Sequence, residues 1–159
     1  MSLILRSAVA LFVAACLSGQ SLQMAPAAVE SGKESTLSIT LAPGPTAVLI
    51  LKWDLVYPAN RLIIEEAGIQ AGPAARSAEK SIACAGAWKK SPQEYRYRCM
   101  MVGGQSLVPG GVVAELKLRA DPNAKPGNAR VRLENVEAVL PGPKLIQLKP
   151  TGTNITIKH

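Results

Sequence analysis

Twelve Pro and 13 Gly interrupt a chain of 159 residues, and their distribution is the strongest constraint on what it can fold into. An interior Pro costs a helix about 3 kcal/mol and an interior Gly about 1, so long helices are excluded over most of the sequence. Between the breakers lie short segments in which apolar and polar side chains alternate, the period of a strand with one buried face. Leu37 to Leu41 alternates strictly and ends at Pro43-Gly44-Pro45. Ala47 to Asp54 begins as a continuous apolar run, which suits a strand covered on both faces at one end. Leu62 to Ala67 is a further strand, and Gly68 to Ala78 reads as a loop broken at Gly72-Pro73. Val112 to Arg119 places Val112, Ala114, Leu116 and Leu118 on an inward face, opposite Val113, Glu115, Lys117 and Arg119. Ala129, Val131 and Leu133 repeat that pattern, but the phase slips at Asn135 so that Val136 and Ala138 become the apolar set, predicting a bulge or a change of sheet. Leu145 to Leu148 and Thr153 to Lys158 complete about nine short strands. The fold class predicted is all-β, a two-sheet jelly-roll sandwich.

The cysteines sharpen one part of this plan. Ser81 to Trp88 and Tyr95 to Val102 flank the polar segment from Lys89 to Glu94, as the strands of a hairpin flank their loop. Setting Cys84 opposite Cys99 places Trp88 opposite Tyr95, Gly86 opposite Tyr97 and Ile82 opposite Met101, all on one face. Ala83, Ala85, Ala87, Arg96, Arg98 and Met100 occupy the other, which becomes the solvent side. A Cys84 to Cys99 disulfide closing a loop of about 15 residues would stabilise the fold by roughly 3 kcal/mol in the chain-entropy model. With no CxxC motif and no His nearby, the pair reads as structural rather than redox or metal-binding.

The third cysteine lies in a targeting signal. Arg6 is the only charge before Glu30, and the apolar run from Ser7 to Gly19 has the length and polarity of a secretory h-region, too short for a membrane span. Residues 1–21 are therefore expected to be a signal peptide, residues 22–34 a short lead-in, and residues 35–159 one sandwich domain. Two cleavage routes fit. Ordinary cleavage falls near Gly19 to Ser21, whereas Val13-Ala14-Ala15-Cys16 fits a lipobox in which Cys16 becomes the acylated first residue. The expected location is secreted or periplasmic, with an outer-surface lipoprotein as the alternative. No other stretch is apolar enough for a transmembrane anchor.

The remaining chemistry is sparse. His159 is the only His, and Asp54 and Asp121 are the only Asp residues, so no nucleophile and base can be assembled. The adjacent carboxylates Glu65 and Glu66 would point to opposite faces of a strand. No enzyme activity and no cofactor is implied. The formal charge of +7 is spread singly and in pairs, with no basic run of the kind that binds nucleic acid.

The order of features resembles the cohesin family. The second strand runs into Val56-Tyr57-Pro58-Ala59-Asn60-Arg61-Leu62, similar to the Tyr-Asp-Pro-x-x-Leu element typical of cohesins. Gly110-Gly-Val-Val-Ala-Glu-Leu-Lys-Leu118 resembles the family's Gly-Val-(x)-Ala-x-Leu strand, and Gly152-Thr-Asn-Ile-Thr-Ile-Lys158 its Gly-led final strand. The likeness covers about residues 30 to 159. It departs from the family in lacking an Asp between Tyr57 and Pro58 and in the internal disulfide. It implies a nine-stranded jelly roll that binds a dockerin-like protein module through one sheet face, in the setting of extracellular polysaccharide recognition or breakdown. No binding residue carries over by motif. Cohesins are also similar in fold to carbohydrate-binding modules, so direct binding of a polysaccharide is the alternative. That alternative needs exposed aromatics for stacking on sugar rings. Trp88, Tyr95 and Tyr97 are the only cluster, and the hairpin register turns them toward the core.

Overall fold

The computed structural model describes residues 20–88 and 93–159, with only the backbone described at Trp88. Residues 1–19 of the expected signal peptide, Cys16 among them, lie outside the described residues, as do Lys89 to Pro92 of the hairpin loop. The strands are β1 (Leu22–Met24), β2 (Ala27–Glu30), β3 (Glu34–Leu41), β4 (Ile50–Pro58), β5 (Leu62–Ala71), β6 (Ser81–Trp88), β7 (Glu94–Val102), β8 (Gly111–Ala120), β9 (Gly127–Leu140), β10 (Lys144–Gln147) and β11 (Thr151–Lys158). One short helix, α1 (Pro73–Ser77), joins β5 to β6. Two sheets form a sandwich. One has the order β1-β3-β8-β5, and the other the order β2-β11-β9-β4-β7-β6 with β10 beside β9. The all-β, two-sheet expectation holds.

Alternation does most of the work of building the core. Leu51, Trp53, Leu55 and Tyr57 of β4 point into the sandwich beside Val131 and Leu133 of β9 and Tyr97, Cys99 and Met101 of β7. They meet Leu37, Ile39 and Leu41 of β3 and Leu116 and Leu118 of β8 from the opposite sheet. Burying each such side chain is worth about 1.5–3 kcal/mol.

Four details differ from the sequence reading. The segment read as a lead-in belongs to the sandwich. Leu22 and Met24 are buried in β1, Pro26 ends that strand, and Val29 is buried in β2, so the opening strand is split between the two sheets. These two strands raise the number from about nine to eleven among the described residues. The expected loop after Gly68 is instead the continuation of β5, paired at Ile69, Gln70 and Ala71 with Leu116, Glu115 and Ala114, followed by α1. Pro73 stands in the first turn of that helix, where its missing N–H costs nothing. In β8 it is Val113, not Val112, that is fully buried. The register against β3 shifts there, with Ile39 opposite Ala114 and Thr40 opposite Val112, so Val113 is an extra residue in a bulge.

The predicted phase slip at Asn135 is a bulge within one strand. Lys52 pairs with Glu137 and Asp54 with Glu134, so β9 has one more residue than β4 between those points. Asn135 takes a positive φ of 48° there, a conformation in which Asn is tolerated better than most residues.

Candidate functional site

The outer face of the large sheet is built by three rungs that cross β9, β4 and β7. In the first, Val56 lies between Arg132 and Arg96; in the second, Asp54 lies between Glu134 and Arg98; in the third, Lys52 lies between Glu137 and Met100. Ala83, Ala85 and Ala87 extend the face onto β6 as exposed small side chains. Among the described residues the one helix, α1, packs on β8 and β5 of the opposite sheet, so this face is left open.

Asp54 is the centre of the arrangement. Its side chain is 0% exposed, and a buried carboxylate needs partners. Arg98 supplies a two-pronged contact, with Nε donating to Oδ1 at 2.9 Å and Nη2 to Oδ2 at 3.1 Å. Asn135 Nδ2 donates to Oδ2 at 2.8 Å, and Arg96 Nη1 lies 3.9 Å from it. Burial pushes the Asp54 carboxyl up, but the hydrogen bonds from Arg98 and Asn135 and the charges of Arg98 and Arg96 outweigh it and hold the group below its ordinary value. The bulge at Asn135 thus has a chemical result, because it delivers the amide that completes the carboxylate's shell.

Ion pairs continue on both sides. Lys52 Nζ donates to Glu137 at 3.3 Å, and Arg132 bridges Glu94 at 2.9 Å and Glu134 at 3.0 Å. Val56 is fully buried although it faces outward, covered by the stems of its direct neighbours Arg96 and Arg132, which carry their charged ends beyond it. The result is a sheet surface whose charges are held by one another, with Met100 of β7 exposed at 39% and Leu145 of β10, opposite Val139 of β9, at 59%.

The candidate residues from sequence fall elsewhere. Cys84 and Cys99 are bonded, and the register is the predicted one, with Gly86 opposite Tyr97 and Trp88 opposite Tyr95. Tyr97 is buried on the inner face, where its hydroxyl donates to the Ile64 carbonyl at 2.9 Å. Tyr57 donates to the same oxygen at 3.2 Å. Burial, with the neighbouring Tyr rings, pushes both hydroxyls up and keeps them protonated donors. Tyr95 is half-buried and meets Tyr97 edge-on at a centroid distance of 5.1 Å. Its ring covers Gly86, where a Cβ would stand 2.3 Å from the Tyr95 hydroxyl. The small-against-large match is therefore diagonal, Gly86 with Tyr95, rather than with Tyr97 directly opposite. Two of the three aromatics are committed to the sandwich, and the Trp88 side chain lies outside the described residues.

Sequence reasoning placed Arg96 and Arg98 on the solvent side but missed Asp54. The signal was present, since an Asp inside the apolar run of β4 has to find a cationic partner.

No protein-family model matches the chain, and no curated protein matches it. Solved structures do match the fold. A chain of a type I cohesin–dockerin complex from Clostridium thermocellum aligns with a TM-score of 0.72 at 11% identity, covering 87% of this chain and 99% of that one. A cohesin module from a Clostridium perfringens family 33 glycoside hydrolase aligns at 0.67 and 11% identity, over 87% and 96%. A non-cellulosomal cohesin from the archaeon Archaeoglobus fulgidus aligns at 0.63 and 11% identity, over 88% and 91%. The chain has the cohesin fold over nearly its whole described length.

Proposed function

We propose that the chain is an exported, non-catalytic adhesion module that seats a dockerin-like protein on the outer face of β9, β4, β7 and β6, in the setting of extracellular polysaccharide breakdown. The observation that carries this is the open sheet face organised around Asp54, Arg98 and Asn135. A surface whose charged side chains are already held in place loses little side-chain entropy on docking. Met100 and Leu145, exposed on that face, offer apolar contacts to a protein partner. Cohesin folds solved with dockerins support the partner class. Direct glycan binding is not favoured, because Tyr95 and Tyr97 pack inward.

The test is calorimetry with purified dockerin-bearing proteins encoded by the same genome, run beside retention on insoluble cellulose and chitin. Binding to a dockerin is expected, weakened at least about tenfold by Met100→Asp, which corresponds to roughly 1.4 kcal/mol. Retention on the polysaccharide that survives Met100→Asp, with no dockerin bound, would sink the proposal.

A further inference from the structure

Among the described residues five strands are paired on one side only, and four of them carry features that discourage pairing with another chain, β10 being four residues long and led by Lys144. β1 is three residues long. β2 is four residues long and ends at Glu30, which pairs with Lys33. β5 is bulged between Ile64 and Ile69, with Glu65 and Glu66 exposed in the bulge. β6 has none of these features. It is eight residues long, Ser81-Ile-Ala-Cys-Ala-Gly-Ala-Trp88, with no charge, no Pro and no register shift against β7. Among the described residues nothing is paired to its other side. The disulfide holds it to β7.

The backbone groups on that open side can be named. Cys84 and Cys99 stand opposite each other with Cα atoms 4.1 Å apart, the close spacing of a non-hydrogen-bonded antiparallel pair. The N–H and C=O of Cys84 therefore point away from β7, and by alternation so do those of Ile82 and Gly86. Beside this edge, between β6 and β5, opens a cleft of about 540 Å³ lined by Glu66, Ala67, Ile69, Ile82, Ala83 and Cys84.

We infer that β6 pairs antiparallel with β6 of a second copy of this chain, about a two-fold axis through Cys84. That register sets Cys84 against Cys84, Ile82 against Gly86 and Gly86 against Ile82. All three rungs use the outward-pointing N–H and C=O groups. On the inner side, each Ile82 meets the small residue of the other copy beside the Tyr95 ring that covers it. On the outer side, Ala83 of one copy faces Ala85 of the other, so no bulky or charged side chain opposes its symmetry mate. An edge so nearly neutral and self-complementary suits an isologous contact. Arg96 and Arg98 turn toward Asp54, and their Cα atoms stand one strand farther from the axis than β6. Pairing one short strand buries less than the roughly 1,200 Å² of a standard stable interface, so the dimer is concentration-dependent.

Sedimentation equilibrium of the purified full-length chain tests this across the micromolar to millimolar range. The average mass is expected to rise from one chain toward two. Ala83→Lys with Ala85→Lys, which sets like charges opposite each other, is expected to abolish the rise. Ala83→Lys with Ala85→Glu, which sets opposite charges across the same axis, is expected to restore it. Amide exchange followed by NMR should show Ile82, Cys84 and Gly86 gaining protection with concentration, while Ala83 and Ala85 do not change. A circular dichroism spectrum identical to wild type separates lost pairing from lost fold. A monomer at every concentration would overturn the inference and leave the edge to an extended segment of another protein. Self-association undiminished in the double-lysine variant would overturn it as well. None of these readouts depends on whether a dockerin binds.

Discussion

Asp54 sits in β4 with both its neighbours, Trp53 and Leu55, turned into the core, and its own carboxylate fully buried on the outer side. Its folded-state pKa lies below the unfolded value near 3.9. The stability it contributes is therefore complete above the unfolded pKa and is lost as pH falls through the folded one. Urea unfolding between neutral and strongly acid pH should show a steep loss of stability below about pH 4 that Asp54→Asn makes shallower. Equal slopes in the two proteins would refute the assignment. Arg98→Ala removes two hydrogen bonds to a charged group, and because Arg98 is half exposed the cost at neutral pH is about 1–2 kcal/mol. The sequence shows that Asp54 is out of place in an apolar run. It does not show that residues 44 and 81 positions away converge on it, because that depends on which strands lie side by side.

β6 and β7 were legible almost residue by residue, since a hairpin is local and one register satisfied both cysteines and the aromatic pairing. β6 is a terminal strand held to the sheet from one side, so the cross-link matters most there. Replacing both Cys84 and Cys99 with Ala should lower the unfolding free energy by about 3 kcal/mol. Hydrogen exchange should show β6 opening before β4 or β9. A double variant that melts like the wild type would show that the bond adds nothing. The bulges were read unevenly. Asn135 announced itself by a break in phase, whereas Val113 lies in a run of apolar residues, Val112 to Ala114, in which either phase fits. The extension of β5 past Gly68 was hidden because Glu65 to Gly68 carry no inward pattern, and only pairing with β8 draws Ile69 to Ala71 back into the sheet.

The ends of the described chain lie side by side, with β2 parallel to β11 and β11 antiparallel to β9. Thr153, Ile155 and Ile157 of β11 are buried, and among the described residues β2 has no other strand partner in its sheet. Deleting residues 151–159 removes two buried Ile worth about 1.5–3 kcal/mol each, together with the ladders to β2 and β9. Against a typical total of about 5–15 kcal/mol, the truncated chain should not fold cooperatively. Near-ultraviolet circular dichroism retaining native signal with a sharp melt would contradict this. The sequence by itself determined the class of fold, the hairpin with its disulfide, and the inward course of Tyr95 and Tyr97. These follow from turn residues, alternation and contacts between neighbouring segments. The split opening strand, the meeting of the two ends and the carboxylate shell of Asp54 were decided only in the tertiary structure. Each joins segments distant along the chain, and strand order, which no local pattern encodes, selects which polar groups share a face.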